Sequence, residues 1–286
     1  MKRILIITIA ILSTILVSCN KTAVSLQEKA EPEVLSKDFS DLQNSLLELN
    51  QGIVSSNPET RSILRWLYVG IFDAVGAACG YSRWGTAGAI ILGTAASVEA
   101  IIELKPWNDS QAIVNGEKWS EQVFESSAFS FGASEGVQVG VLHNMLIRSV
   151  VEKYGNEISQ WDGEELLEVL KQELSIQGII VSGQDNLNTI SSQDIVCRQE
   201  SDETMDDFIQ NVCNQHPAIS QELTVLKTIL NGIDMIQSDQ EALNYTTQAI
   251  QIIENSNVAS DSKTTLVCGA SVAFESKQLW NLSTNQ

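Results

Sequence analysis

The chain is poor in positive charge, in histidine and in proline. Only 17 Lys and Arg stand against 36 Asp and Glu, with two histidines and four prolines in 286 residues. The formal net charge is −19, and such a field repels nucleic acid and anionic head groups, which excludes nucleic-acid binding. The two histidines and five cysteines form no CxxC pair and no Cys/His cluster with zinc spacing, so no metal and no other cofactor is expected. Apolar–polar alternation is missing as well. Apart from a short segment at 179–181 no strand pattern is found, and the fold is expected to be all-α, a glycine-rich helical hairpin followed by a multi-helix bundle. Apolar residues, at 43%, suffice for a core, and the length suits one large domain or two small ones.

What is present begins at the N-terminus. Lys2 and Arg3 precede an apolar stretch from Ile4 to Ile15, too short to span a bilayer comfortably. It ends in Leu16-Val17-Ser18-Cys19, which resembles the lipobox of bacterial lipoprotein signal peptides. The resemblance implies that residues 1–18 are removed and that Cys19, the lipid-attachment residue, becomes the acylated first residue. Each buried acyl CH₂ contributes about 0.8 kcal/mol, so two or three chains make a lasting membrane anchor. Asn20-Lys21 lacks the Asp that holds enteric lipoproteins on the inner membrane, so an outer-membrane lipoprotein of the cell envelope is expected. Loss of Lys2 and Arg3 takes the charge from −19 to −21.

Four cysteines remain. Cys79 and Cys268 lie in Ala/Gly/Val surroundings and read as small buried hydrophobes. Cys197 and Cys213, flanking one short helix, are the candidate disulfide.

The pattern divides the mature chain into four parts. Residues 19–56 are the lipid anchor and tether, with a short helix from Leu35 carried by Leu42, Leu46, Leu47 and Leu49. Residues 57–106 form the hairpin. Asn57-Pro58 starts its first arm, which runs to about Cys79; "GYSRWG" makes the turn, and Pro106 stops the second arm after Leu104. Residues 107–135 are an irregular connection, with one helix expected around "EKWSEQVFESS". Residues 136–286 form the bundle. Its helices are marked by Val139, Leu142, Leu146 and Val150, by a capping box of Asp162 with Glu165, and by Asp202 opening "ETMDDFIQNVC". An apolar stripe follows at 219, 223, 226, 230, 233 and 236, then a capping box of Ser238 with Glu241, and a last helix over 261–280.

In the hairpin, Gly85, Ala89, Gly93 and Ser97 recur every four residues, and Gly76 and Gly80 offer a matching GxxxG. Close packing of the arms follows in water or in lipid. Asp73 in the middle of the first arm would cost about 2.5 kcal/mol or more in a bilayer, and Glu99 interrupts the second. Trp66, Tyr81, Trp84 and Trp107 do sit at the arm ends, as an interfacial belt would. A packed hairpin is the leading reading and membrane insertion the alternative.

Catalytic signals are thin. "GASEG" at 132–136 matches G-x-S-x-G, with Ser134 as nucleophile and His216 downstream, but the motif needs a parallel sheet to hold it, so the match reads as chance and no catalytic residue is assigned. Glu200, Asp202, Glu203, Asp206 and Asp207 lack calcium-loop spacing and read as an acidic first turn. His143 flanks the apolar stripe of its helix, where its ring nitrogens need partners. Asn144 points about 100° away around the helix, which speaks against its being that partner. Partners on another helix are expected, and Ser271, Ser276 and Trp280 in the closing segment are the candidates, because the patches around His143 and around these residues both recur in the uncharacterised secreted family that the chain resembles. His143, Asn144 and Ser276 thus form the polar site, structural in the first reading, a ligand contact or pH-sensitive joint in the other.

"DAVGA" (Asp73–Ala77), "VGVLHNMLI" (Val139–Ile147) and "SVAFESKQLW" (Ser271–Trp280) resemble three patches of an uncharacterised family of secreted proteins and lipoproteins from Bacteroidota. The resemblance implies the same address and helical body; it supplies no mechanism. The expected role is binding or structural and non-catalytic, at the membrane through the lipid and with an unidentified envelope protein as partner. The alternative is a membrane-active, toxin-like or pore-associated protein acting through the hairpin.

Overall fold

A computed structural model describes residues 35–56, 64–104, 135–178, 180–196, 204–236 and 238–282. The signal segment, Cys19, the Asn57-Pro58 start, the 107–134 connection with Ser134, and Cys197 lie outside the described residues, as does the side chain of Trp280. The helices are α1 (Lys37–Ser56), α2 (Leu64–Leu104), α3 (Glu135–Tyr154), α4 (Gly163–Ile176), α5 (Met205–Gln215), α6 (Ser220–Asp234), α7 (Asp239–Asn255) and α8 (Ser260–Leu282). Among the described residues there is no strand, and 3₁₀ turns at Gln184–Thr189 and Ser192–Asp194 fill the segment after α4. The fold is all-α.

Local chemistry sets the helix starts. Asp162 accepts from the amides of Glu164 and Glu165, and Glu165 returns the bond, a complete capping box for α4. Ser238 accepts the Glu241 amide at 3.2 Å and starts α7. The expected start at Asp202 is corrected: Thr204 caps α5, with Asp207 reaching back to close the box, so Met205 is the first helical residue. The stripe predicted on α6 is buried at all six positions.

From Leu35 onward the chain forms one unit. The expected tether narrows accordingly, because α1 is a 20-residue helix packed on α6 and α7. At the centre lies α8, which packs against α2, α3, α6 and α7. Every residue of α8 from 265 to 279 is buried, the mark of a helix surrounded by protein on all sides.

The hairpin is present and tight. Gly85, at φ 66° and ψ −158°, divides α2 into two antiparallel arms. A Cβ on Gly80 would lie 2.2 Å from the Gly88 carbonyl oxygen, and one on Gly76 2.7 Å from that of Leu92, so the two backbones touch. The expected six-residue turn is corrected: the first arm stays helical through Trp84 and reverses at Gly85 alone. Contacts from a distant segment make so sharp a reversal workable. The Ser182 carbonyl accepts the Ala87 N–H at 2.9 Å, and the Ser182 hydroxyl accepts that of Thr86 at 3.3 Å. Ser182 therefore satisfies the first amides of the second arm from outside the helix. Trp84 Nε1 donates to Thr189 Oγ1 at 2.8 Å, locking the other side of the turn. No helix among the described residues is long and apolar enough to cross a membrane.

Candidate polar site at the hairpin–closing helix joint

Asp73 sits mid-way along the first arm with no solvent exposure. Directly across from it, Gly93 of the second arm leaves room for an imidazole. A Cβ on Gly93 would lie 3.2 Å from His143 Cδ2 and 3.2 Å from the Asp73 carbonyl oxygen. One turn further along that arm, Ser97 donates its hydroxyl to Asp73 Oδ2 at 3.1 Å. Ser276, on α8, donates to the same oxygen. His143, on α3, brings Nε2 to 3.7 Å from it, beyond hydrogen-bond length but at ion-pair distance. Both arms, α3 and α8 thus meet at one carboxyl group.

The second half of the cluster overturns one expectation. His143 Nδ1 is 3.0 Å from Asn144 Oδ1, so the neighbouring residue is the partner after all. The 100° separation describes where the Cβ atoms point; the Asn144 side chain folds back, because its amide is drawn into the gap between His143 and α8. There its Nδ2 donates to the Glu275 carbonyl oxygen at 2.9 Å and to Glu275 Oε2 at 3.3 Å. A carbonyl can only accept, so Nδ2 is fixed towards α8 and Oδ1 towards the histidine. His143 Nδ1 therefore carries the proton. Burial pushes the His143 imidazolium down to about 4, against the hydrogen bonds from Asn144 and the Gly93 backbone. Burial likewise pushes the Glu275 carboxyl up to about 8, against the Asn144 bond. Near neutral pH both side chains are uncharged.

Ser276 reaches His143 only through Asp73. Ser271 serves another purpose: its hydroxyl donates to the Val137 carbonyl at 2.7 Å and accepts from the Gly140 amide at 3.3 Å. Gly140 makes that approach workable, since a Cβ there would stand 2.5 Å from the Ser271 hydroxyl. All three patches of the family resemblance, Asp73–Ala77, Val139–Ile147 and Ser271–Trp280, contribute to this one joint. Sequence reasoning missed Ser97 and Glu275. The available signal for Ser97 was its four-residue spacing from Gly93.

The arrangement does not suit nucleophilic chemistry. Both serines donate to Asp73 and neither to His143, so no Ser–His pair is formed. Asp73, Ser97, His143 and Ser276 are 0% exposed, and a substrate has no approach to them.

Elsewhere, Cys79 and Cys268 are buried thiols, as expected. Of the expected Cys197–Cys213 pair, Cys197 lies outside the described residues; Cys213 is buried, its Sγ donating to the Ser220 carbonyl at 3.7 Å. Packed in the core near Cys79, whose own thiol burial pushes up to about 12 with a contribution from Cys213, it behaves as a small apolar residue. His216 is half-buried, its pKa lowered by burial and by Arg83. Among the described residues no group of three or more His, Cys, Asp or Glu could hold a metal ion. An open groove of about 470 Å³ runs between α1 and α7, walled by Asp38, Asp41 and Ser45 on one side and Gln248, Gln251 and Asn255 on the other.

Compared with protein-family models, curated proteins and solved structures, the chain matches none.

Proposed function

We propose that this chain is a lipid-anchored envelope protein, held at the outer membrane through Cys19, whose folded body has a structural or binding role and no catalytic one. The observation that carries the non-catalytic reading is the sealed joint. The chain's most developed polar constellation is spent on tying four helical segments together, with no open face. Recognition of a partner then falls to the outer surface, where the groove between α1 and α7 is a concave stretch of mixed polar and apolar lining. The hairpin arms support a packed role over a membrane-active one, since residues 69–98 are buried apart from those around the turn.

The anchor is tested by Cys19→Ala. The variant is expected to leave the membrane fraction and to lose labelling by a fatty-acid analogue, while the wild type stays bound through high salt and carbonate. A variant that stayed bound through the same wash would be held by its hairpin, which would reverse the reading.

A further inference from the structure

Glu275 is 1% exposed, and its Oε1 has no hydrogen-bond partner. Oε2 shares the Asn144 amide with the backbone carbonyl of Glu275 itself. An uncharged carboxyl tolerates such a site; a carboxylate there would be a buried anion with one shared donor. The nearest cation along the helix, Lys277, is turned to the Ile233 and Ile236 carbonyls at the end of α6. The first arm presents Asp73 and α3 presents His143, while the second arm presents Gly93 and Ser97, neither of them titratable. His143 is under the mirror-image constraint, being enclosed and bonded as a neutral ring.

We propose that Glu275 and His143, bridged by Asn144, make the joint between the hairpin, α3 and α8 a proton-controlled fastener, closed while both are uncharged and loosened when either takes on charge. The expected pH profile follows from linkage. Glu275 holds its proton to about 8 in the closed joint and to its ordinary 4.5 in an open one, so opening becomes easier as pH rises between those values. His143 ionises near 4 when closed and at its ordinary 6.5 when open, so opening becomes harder as pH rises over that range. From 4.5 to 6.5 the two effects oppose each other and the profile is flat. Between 6.5 and 8 Glu275 is the one of the pair that acts, and opening gains roughly eightfold, less where the Lys277 ammonium, which burial pushes down to about 8, begins to lose its proton.

Hydrogen–deuterium exchange of α8 amides in the full chain, corrected for the intrinsic chemical rate, tests this between pH 5 and 9. Wild-type protection should hold level to about pH 6.5 and then fall roughly eightfold by pH 8, while α4, outside the joint, keeps its protection. Glu275→Gln should abolish that fall. The idea is overturned by an α8 profile level through pH 8, by an equal fall in Glu275→Gln, or by an equal fall in α4, which would mark a change in global stability. Should Glu275→Gln not fold, the wild-type carboxyl ¹³C titration of Glu275 decides. A midpoint near 8 upholds the fastener and one near 4.5 overturns it.

Discussion

At the scale of single residues, Asp73 organises the interior. Two hydroxyls from different helices donate to one of its oxygens, and an imidazole stands beside it. Removing one partner leaves the buried carboxyl with one stabilising contact fewer, at about 1–3 kcal/mol. His143→Ala and Ser276→Ala should each lower the urea midpoint. Because both act on Asp73, the double variant should lose less than the sum of the singles, with a coupling of about 0.5–3 kcal/mol. Strict additivity would show that Asp73 does not connect them. Part of this was legible in the sequence. A histidine flanking an apolar stripe demanded partners, but its direct partner is the adjacent Asn144, and the closing segment joins it only through Asn144 and Asp73. The route was not legible, because it runs through an aspartate read only as an obstacle to membrane insertion. Glu275 gave no signal: a glutamate in a helix ordinarily faces water, and only packing on every side of α8 makes this one internal.

At the scale of elements, glycine has two opposite roles here. Gly80 stands where the arms touch, and a Cβ there would press into the Gly88 backbone at 2.2 Å, so Gly80→Ala must force the arms apart. Overpacking of that kind costs about 1–3 kcal/mol. Gly52 lies on the exposed side of α1, and a Cβ there would meet nothing within 4 Å. Gly52→Ala should therefore stabilise by about 0.5–1 kcal/mol through helix propensity alone. Thermal melts of the two variants should move in opposite directions; a shared direction would mean that the arms are not in contact as described. The four-residue ladder and the capping boxes were readable because they are local. The reversal at Gly85 was not. It depends on Ser182 and Thr189, about a hundred residues away in the chain, which supply the caps and the Trp84 partner that the turn itself lacks.

At the scale of the whole molecule, 17 basic residues cannot pair with 36 acidic ones, and the folded chain carries unrelieved self-repulsion. Raising ionic strength from about 0.01 M to 0.15 M shortens the Debye length from about 30 to 8 Å and should raise the melting temperature. A melting temperature that fell or stayed level would place the chain's stability in paired charges instead. The overall helical content was legible from the periodicities, but the central place of α8 was not. α8 packs against both the hairpin and α3, α6 and α7, and nothing in a local pattern reports which helix will be central.

The central position of α8 also sets an order of events during synthesis. The innermost helix is the last of the described elements to be made, so α2, α3, α6 and α7 are made before the helix they pack against. Until Ser260–Leu282 is made, Asp73 and the faces meant to cover it stay open to water and to other chains. A chain cut short of Ser260 loses the helix against which α2, α3, α6 and α7 pack.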